Sequence, residues 1–330
     1  MPRKSRIDTT GALHHIMVRG IERCNIFRND ADRDNFLERL GKVIRETKTV
    51  CYAWALIPNH FHLLLQTGSM PISTVMRRLL TGYALYYNRK HRRIGHLFQN
   101  RFKSILCQKD IYFLELVRYI HLNPIRARIV DNLDELDKYK YCGHSVIVGR
   151  KDTEWQDIEK VLGMFGERMV SARRSYRAFI EKAINEGKRQ DLTGGGLIRS
   201  AGGWEGVKAL RKDQVYQRND ERILGDGNFV GQVLASAEEA MERRYALRSK
   251  GIDLDRLTNK VSEIFGVKAE EIWLPGRFRK IVEARSVLCY WAVREMGVSM
   301  TMLSRKMGIS VAAISGSVIR GQKIVEEKGL

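Results

Sequence analysis

Between residues 14 and 124, short apolar stretches alternate with longer segments whose apolar residues recur at helical spacing. This pattern predicts strands at 14–20, 50–58 and 60–67, a strand or hairpin at 95–107, and helices at 30–46, 72–93 and 110–124. The order β-α-β-β-α-β, followed by a further helix, is that of ferredoxin-like folds, in which an antiparallel sheet is covered by helices. We therefore predict an α+β fold for this part of the chain and a mainly helical C-terminal region.

The length of 330 residues allows two or three domains. An acidic stretch at 131–137 is expected near the edge of the first domain, which we place at 1–150. Residues 151–229 are predicted to form a helical and glycine-rich connecting region, with a loop at 193–206. Residues 230–330 are predicted to form a helical DNA-binding domain.

A helix–turn–helix is predicted near the end of the chain, with its turn at "MGIS" (307–310). Gly308 is expected at the bend, because glycine tolerates the left-handed conformation that often ends a helix. Ser310 is expected to cap the second helix through its hydroxyl group. A small helical bundle that serves only packing is the alternative interpretation.

The net charge of +20 and the sequence pI of about 9.9 indicate a polyanionic partner. Residues 1–150 hold 26 Lys and Arg against 13 Asp and Glu, and the remaining 180 hold 32 against 25. A membrane surface is a competing partner, but the chain has no 18-residue apolar run and no apolar stretch typical of a signal peptide at its start. Five scattered cysteines without a CxxC pair indicate free thiols. We expect a cytoplasmic nucleic-acid-binding protein.

The segment "IPNHFHLLLQ" (57–66) places two histidines in an otherwise apolar strand. Residues i and i+2 of a strand share a face, so His60 and His62 should leave one face of the sheet while Phe61 points into the core. The predicted order makes this strand internal. Two partly exposed, solvated histidines are one interpretation, and a pair of metal ligands is the other.

A second polar group occurs in "RYIHLNP" (118–124). Tyr119 and Asn123 are four residues apart on the predicted helix and therefore share a face. Tyr119 lies at the flank of the apolar stripe, where its ring can pack while its hydroxyl reaches outward; a merely packed aromatic is the alternative. The stripe consists of Phe113, Leu116, Val117 and Ile120.

Two imidazoles, an amide and a phenol beside a basic surface can together cleave a phosphodiester. Neutral imidazoles and an amide oxygen can hold a divalent ion with open positions, and the ion polarises a phosphate oxygen. A phenol with a pKa of ~10 is a poor nucleophile at neutral pH unless positive charge favours the phenolate. Its attack would store the bond energy in a covalent phosphotyrosine, so that strands can be rejoined.

"NHFHLLL" resembles the HUH motif of single-tyrosine HUH endonucleases, and "GHLFQNRFKS" and "RYIHLNPIRA" resemble the blocks that follow it in REP-associated tyrosine transposases. The resemblance implies that His60 and His62 bind the metal, that Tyr119 is the nucleophile and that Asn123 completes the metal site, although some relatives have glutamine there. It further implies Mg²⁺ or Mn²⁺ as cofactor. It implies cleavage and rejoining of single-stranded DNA at hairpins of the repetitive extragenic palindrome type, through a 5′-phosphotyrosine.

Residues 277–325 resemble the helix–turn–helix of DnaA-type replication initiators. This implies that Arg305 contacts phosphates and that Ser310, Ser315 and Arg320 lie on or beside a recognition helix. In the first domain, the residues expected to contact DNA are Arg19, Arg101, Lys103 and Arg126, with Tyr86, Tyr87, Phe98 and Phe102 as aromatics that could stack on unpaired bases.

Two other functions are compatible with a basic chain of this fold. A sequence-specific DNA-binding regulator derived from such a transposase, without turnover, would not need the intact set of His60, His62, Tyr119 and Asn123. An RNA-binding protein would leave the two histidines unexplained and would lack its usual aromatic motif. Monomer and homodimer both remain open.

Overall fold

The computed structural model describes residue 7 and residues 11–68, 70–186, 192, 220–236, 253–276 and 278–330. The chain divides into two compact units, Met1–Gln232 and Val233–Leu330. The loop predicted at 193–206 lies outside the described residues. Within the described ranges, none of the helices has the length and apolar character needed to cross a membrane.

Four strands of the N-terminal unit form an antiparallel sheet in the order β2-β3-β1-β4, so that β1 and β3 are internal. This confirms the ferredoxin-like prediction. The strands are β1 (Leu13–Arg19), β2 (Val50–Ile57), β3 (His60–Gln66) and β4 (Lys103–Cys107).

A fifth strand corrects the prediction that the sheet is wholly antiparallel. Strand β5 (Ile223–Leu224) pairs in parallel with β4, with Leu106 opposite Ile223. The sheet is therefore mixed, and part of the predicted connecting region belongs to it. Two apolar residues are too short a stretch for a periodicity argument, yet they satisfy backbone groups at the exposed edge of β4.

Eight helices of the N-terminal unit have bounds within the described residues. Helices α2 and α3 correspond to the predictions at 72–93 and 110–124, and residues 227–236 are also helical. The bounds are α1 (Asp30–Thr47), α2 (Ile72–Lys90), α3 (Lys109–His121), α4 (Asn123–Arg126), α5 (Leu133–Lys138), α6 (His144–Ile147), α7 (Glu159–Leu162) and α8 (Met169–Glu181).

The two faces of the sheet are covered by different helices. On one face, Phe61 of β3 packs against Phe36 of α1 with ring centroids 4.6 Å apart, and Tyr83 of α2 lies 5.2 Å from Phe36. Phe61 therefore points into an aromatic core, as predicted. Because side chains alternate along a strand, His60 and His62 leave the opposite face.

Helix α3 covers the face that carries the histidines. Its apolar stripe joins one buried cluster with Leu64 of β3 and Ile105 of β4. Tyr119 lies at the flank of the stripe and is half-buried, as predicted. The buried stripe residues are Phe113, Leu116, Val117 and Ile120.

The described part of the C-terminal unit is helical. The predicted turn residues have the predicted roles: Gly308 ends α12 with a φ of 64°, and the Ser310 side chain accepts a hydrogen bond from the Ala313 backbone N–H at 3.2 Å. The helices are α9 (Leu254–Phe265), α10 (Ala269–Trp273), α11 (Arg279–Arg294), α12 (Met300–Met307) and α13 (Val311–Lys328).

Candidate active site

His60 and His62 lie beside basic residues on the face of the sheet covered by α3. His60 is directly opposite Arg19 of β1, and His62 is directly opposite Met17. Met17 is in turn opposite Lys103 of β4. Directly opposed residues of antiparallel strands point to the same face, so the exposed Arg19 and Lys103 flank the histidines.

Each of these histidines has its Nδ1 atom engaged by a neighbouring side chain. The His62 Nδ1 atom lies 3.0 Å from Nε2 of His15, and the His60 Nδ1–H group donates to Oδ1 of Asn59 at 2.6 Å. The two histidine rings lie 5.2 Å apart between centroids. The Nε2 atoms of His60 and His62 are therefore the nitrogens suited to bind a common ligand.

Burial keeps both imidazoles neutral. Burial lowers the pKa of His60 to about 4, and the charge of Arg19 adds to this effect. Burial also holds the pKa of His62 well below its usual range, with repulsion from His15 as the next contribution. Neutral imidazole is the form that binds a metal ion, and both side chains have this form at neutral pH.

Helix α3 brings the ring of Tyr119 against the histidines. Its centroid lies 6.0 Å from that of His62 and 5.8 Å from that of His15, edge-on in both cases. The fold thus unites the strand motif and the helix motif, which are more than fifty residues apart in sequence. The remaining surface of the ring faces Arg126, whose guanidinium carbon lies 5.0 Å from the ring centroid.

The phenol group of Tyr119 is protonated in this environment. Burial raises its pKa, and the positive charge of Arg126 opposes that rise without cancelling it. Ionisation of this phenol therefore needs further positive charge near the hydroxyl group. Arg126, predicted from the sequence as a DNA contact, lies where it stabilises negative charge on Tyr119.

Asn123 is buried at the start of α4, just after the end of α3, and not on the same helix as Tyr119 as predicted; two hydrogen bonds orient its amide. Pro124 has no N–H group to donate to the Ile120 carbonyl, and the Asn123 Nδ2 group donates there instead at 3.2 Å. The same Nδ2 group donates to the Tyr119 carbonyl at 2.9 Å. Since Nδ2 is held against the helix end, Oδ1 points away from it, and this oxygen is the atom that a cation would bind.

The donor groups of His60, His62 and Asn123 are of the chemical types that suit a divalent cation also bound by its substrate. In the part of the chain that the structure describes, no three His, Cys, Asp or Glu side chains form a metal-binding group. Two neutral nitrogens and one amide oxygen leave coordination positions open, which suits Mg²⁺ or Mn²⁺ held together with a phosphate.

A cleft of about 660 Å³ lies next to the basic end of β1. The loop that forms one wall is tied to β1, because the Gln99 N–H group donates to the Arg19 carbonyl at 2.8 Å. The exposed Arg101 is on this wall. The lining combines apolar and polar side chains, including Leu80, Leu97, Phe98, Phe102, Arg77, Arg101 and Asn88.

The four predicted stacking aromatics have different environments. Phe98 and Phe102 line the cleft. Tyr87 is in the core, where its hydroxyl donates to the Asn25 carbonyl at 2.7 Å, and burial argues against a contact with DNA. Tyr86 is half-buried under the cationic ends of neighbouring side chains, Arg39 and Lys90.

The four predicted contacts in the C-terminal unit divide by exposure. Arg305, Ser310 and Arg320 are exposed. Ser315 is 8% exposed, and its burial argues against the predicted contact. Helix α13 approaches α11 so closely that a Cβ atom on Gly321 would overlap the Ser286 carbonyl.

Comparison with protein families identifies the stretch that contains the site. Residues 9–123 match the family model described as "Transposase IS200 like". This stretch is therefore similar to IS200-like transposases. The match begins before β1 and ends at Asn123, so it contains His60, His62 and Tyr119. The resemblance inferred from the sequence is confirmed at this level, whereas the DnaA-type resemblance stays a prediction.

Two further comparisons concern individual proteins. A solved structure described as "Structure of the REP associates tyrosine transposase bound to a REP hairpin" is similar to the chain, with 17% sequence identity and a TM-score of 0.36. The similarity covers 48% of this chain and 98% of that one. No curated protein matches the chain.

Sequence reasoning missed two residues of the site. The sequence pattern placed His15 in a strand and Asn59 in a turn, yet His15 is hydrogen-bonded to His62 and Asn59 to His60. The signal for His15 was its position along β1. It lies two residues before Met17, which is directly opposite His62, so His15 and His62 point to the same face of the sheet. Periodicity along β1 predicts which face of the sheet His15 occupies. Only the register between β1 and β3 shows that its neighbour there is His62.

Proposed function

We propose that the N-terminal unit is a metal-dependent transposase nuclease that cleaves and rejoins single-stranded DNA at hairpins, with Tyr119 as its nucleophile. The observation that carries this proposal is the packing of the Tyr119 ring against His62, whose Nδ1 is anchored and whose Nε2 is left for a ligand. The match of this stretch to IS200-like transposases supports DNA strand transfer as the reaction.

Tyr119 carries out the covalent steps of the proposed reaction. Oη of Tyr119 attacks phosphorus and loses its proton to water; a P–O bond to the tyrosine forms as the bond to the 3′ oxygen breaks. The leaving 3′ oxygen takes up a proton, so the products are a 5′-phosphotyrosine and a free 3′-OH. In the reverse step, a 3′-OH attacks the phosphotyrosine, which rejoins DNA and restores the phenol.

His60, His62 and Asn123 would hold the divalent cation at the scissile phosphate. When bound, the cation supplies Lewis-acid polarisation of a phosphate oxygen and positive charge that favours the phenolate of Tyr119. Arg126 keeps its guanidinium group on the ring of Tyr119 and stabilises the same negative charge. Arg19 and Lys103 border the histidines and would bind flanking phosphates.

The cleft beside β1 supports single-stranded DNA as the substrate. Phe98, which is half-buried, offers apolar surface for unpaired bases, while Arg77 and Arg101 offer positive charge for phosphates. Phe102 is only 9% exposed, and its burial argues against stacking on a base. The loop that carries Arg101 is hydrogen-bonded to the end of β1 that carries Arg19. A strand could therefore pass from the histidines into the cleft without leaving the basic surface.

The C-terminal unit is proposed to add affinity for DNA without taking part in the chemistry. Its two-helix segment presents Arg305 and Arg320 at the surface, and each would neutralise a phosphate. Ser310 lies at the exposed start of α13, where helix–turn–helix proteins commonly contact DNA.

The proposal is tested with labelled hairpin oligonucleotides that carry single-stranded flanks, incubated with the protein in Mn²⁺, Mg²⁺ or EDTA. We expect an SDS-resistant protein–DNA band and a shortened oligonucleotide with a free 3′-OH in either cation, and neither product in EDTA. The same hairpin without flanks is the matched control and should give no product. Tight binding without cleavage or adduct would favour a DNA-binding regulator and refute the nuclease proposal.

A further inference from the structure

Two adjacent histidines of β1 have different partners. His14 and His15 are both fully buried, and strand alternation sends them to opposite faces of the sheet. The His14 Nδ1 atom lies 3.1 Å from the Ser104 hydroxyl on the face covered by α1 and α2. The His15 Nε2 atom lies 3.0 Å from Nδ1 of His62 on the face of the candidate site.

The hydrogen bond between His15 and His62 constrains the tautomer of both rings. If the His62 Nε2 atom binds a cation, its lone pair must be free, and the proton of the neutral ring is then on Nδ1. The Nδ1–H group of His62 donates to Nε2 of His15, which therefore accepts. A hydrogen bond to the other ring nitrogen is the usual way in which proteins orient a metal-binding histidine.

We propose that His15 is a positioning residue that holds His62 in the tautomer and orientation required for binding the divalent cation. The inference rests on the proposed function of the site. The ring of His15 also stacks on that of His62, with centroids 5.3 Å apart and planes at 27°, and the ring of Tyr119 meets it edge-on at 5.8 Å. His15 thus touches both a cation-binding residue and the nucleophile.

The position of His15 in the sheet makes it suited to this role. It pairs with Leu64 of β3 on one side and with Ile105 of β4 on the other. Its backbone is therefore hydrogen-bonded within an internal strand, and its fully buried ring is packed within the unit. Residues held in this way keep a functional side chain close to its productive geometry.

The test compares Mn²⁺ affinity in full-length variants, measured from the electron paramagnetic resonance signal of free Mn²⁺. His15→Gln keeps an acceptor at about the reach of Nε2, whereas His15→Met has a similar length and no strong acceptor. We expect His15→Met to weaken Mn²⁺ binding about 10- to 100-fold, and His15→Gln to restore most of that loss. His14→Met, the same change on the opposite face, is the matched control and should leave the affinity unchanged.

A second readout reports the tautomer directly. In long-range ¹H–¹⁵N spectra of the Mn²⁺-free protein, His62 should show a protonated Nδ1 and an unprotonated Nε2. His15→Met should lose this single tautomer, and His15→Gln should keep it. Thermal unfolding in EDTA identifies folded variants. If His15→Met does not fold, His15→Phe, which keeps an aromatic ring beside Tyr119, replaces it.

The outcomes separate this inference from the proposed function. If the folded His15→Met or His15→Phe variant binds Mn²⁺ as tightly as the wild type while His62→Ala does not, His15 has no positioning role and the nuclease proposal stands. Equal losses in His15→Gln and His15→Met would also overturn the inference, because the acceptor would be irrelevant. If the wild type itself does not bind Mn²⁺, both proposals fail.

Discussion

The side chains proposed for chemistry in the N-terminal unit and those proposed for DNA affinity in the C-terminal unit differ in their burial. In the N-terminal unit, His62 is buried and hydrogen-bonded to the buried His15. In the C-terminal unit, the cations assigned to DNA, Arg305 and Arg320, are exposed. A hydrogen bond between two buried side chains fixes the position and orientation of both, and a catalytic group needs such fixed geometry. Exposed charge gives affinity that depends on salt, and it tolerates imprecise placement.

The largest effect is expected from removing one hydroxyl group of the N-terminal unit. Tyr119→Phe keeps the ring that packs on His62 and removes the hydroxyl group that we propose as the nucleophile. Cleavage and the covalent adduct should be lost entirely, while affinity for the hairpin stays nearly unchanged because the hydroxyl contributes little to binding. Denaturing gels and fluorescence anisotropy measure the two quantities. An adduct formed by this variant would transfer the role to another residue, with Tyr112 as the first candidate.

The next largest effect concerns the cation. His60→Ala or His62→Ala should lower the cleavage rate by about 100-fold or more, because transition-state charge stabilisation by a metal contributes several kcal/mol. EDTA should reproduce the loss in the wild type. Asn123→Ala should have a milder effect, since an amide oxygen is the weakest of the three ligands. Full cleavage in EDTA would remove the cation from the mechanism.

A smaller effect, of a different kind, is expected in the C-terminal unit. Changing both Arg305 and Arg320 to Ala should weaken DNA binding and reduce the slope of log K against log salt by about 2, one for each lost phosphate contact. The cleavage rate at saturating DNA should not change. Lys260→Ala, which removes an exposed charge from α9, serves as the control.

Two results would break the comparison between the units. An unchanged salt slope in the double variant would make the C-terminal unit a packing or partner module. Normal binding combined with slower cleavage at saturating DNA would mean that this unit shapes the active site, and the separation of chemistry from affinity would be wrong.

The smallest effect concerns stability. It compares a buried carboxylate of the N-terminal unit with an exposed carboxylate of the C-terminal unit. Asp32 is buried; burial opposes its ionisation, but hydrogen bonds led by that from Lys90 outweigh burial and lower its pKa. A carboxylate with a lowered folded pKa stabilises the protein above pH ~4, and this contribution is lost as the pH falls through the folded value. Asp32→Asn should therefore lower the free energy of unfolding by about 1–3 kcal/mol at neutral pH.

Chemical denaturation between pH 7 and pH 3 checks this prediction. The difference between the wild type and Asp32→Asn should shrink below pH ~4. Asp255 of the C-terminal unit, which forms an exposed ion pair with Lys306, is the matched control, and Asp255→Asn should change stability by less than about 0.5 kcal/mol. A difference for Asp32→Asn that is constant over the whole pH range would contradict the account.

The periodicity of the sequence predicted most of the sheet and the placement of its histidines. Alternation along β3 placed Phe61 in the core and the two histidines on the other face, and the helical stripe placed Tyr119 at its flank. These features depend only on the spacing of residues within one strand or one helix, which can be read from the sequence. Strand β5 was missed because its two residues carry no period, and its pairing with β4 joins segments more than one hundred residues apart.

The hydrogen-bond partners within the site were beyond sequence reasoning. The contact of His15 with His62 depends on the register of β1 and β3, which spacing within either strand does not determine. The burial of Ser315 was beyond sequence reasoning for a related reason, since the helix pattern does not show how closely α13 packs on α11. In both cases, the missing information was the position of a neighbouring element.

Mass spectrometry of the covalent complex tests the central claim most directly. After reaction with the hairpin oligonucleotide and nuclease trimming, trypsin separates the two candidate tyrosines, because cleavage after Lys109, Arg118 and Arg126 leaves Tyr112 and Tyr119 in different peptides. The account predicts a 5′-linked nucleotide on the peptide 119–126 in Mn²⁺ and none in EDTA. A nucleotide on the peptide 110–118, or cleaved DNA with no modified peptide at all, would contradict it.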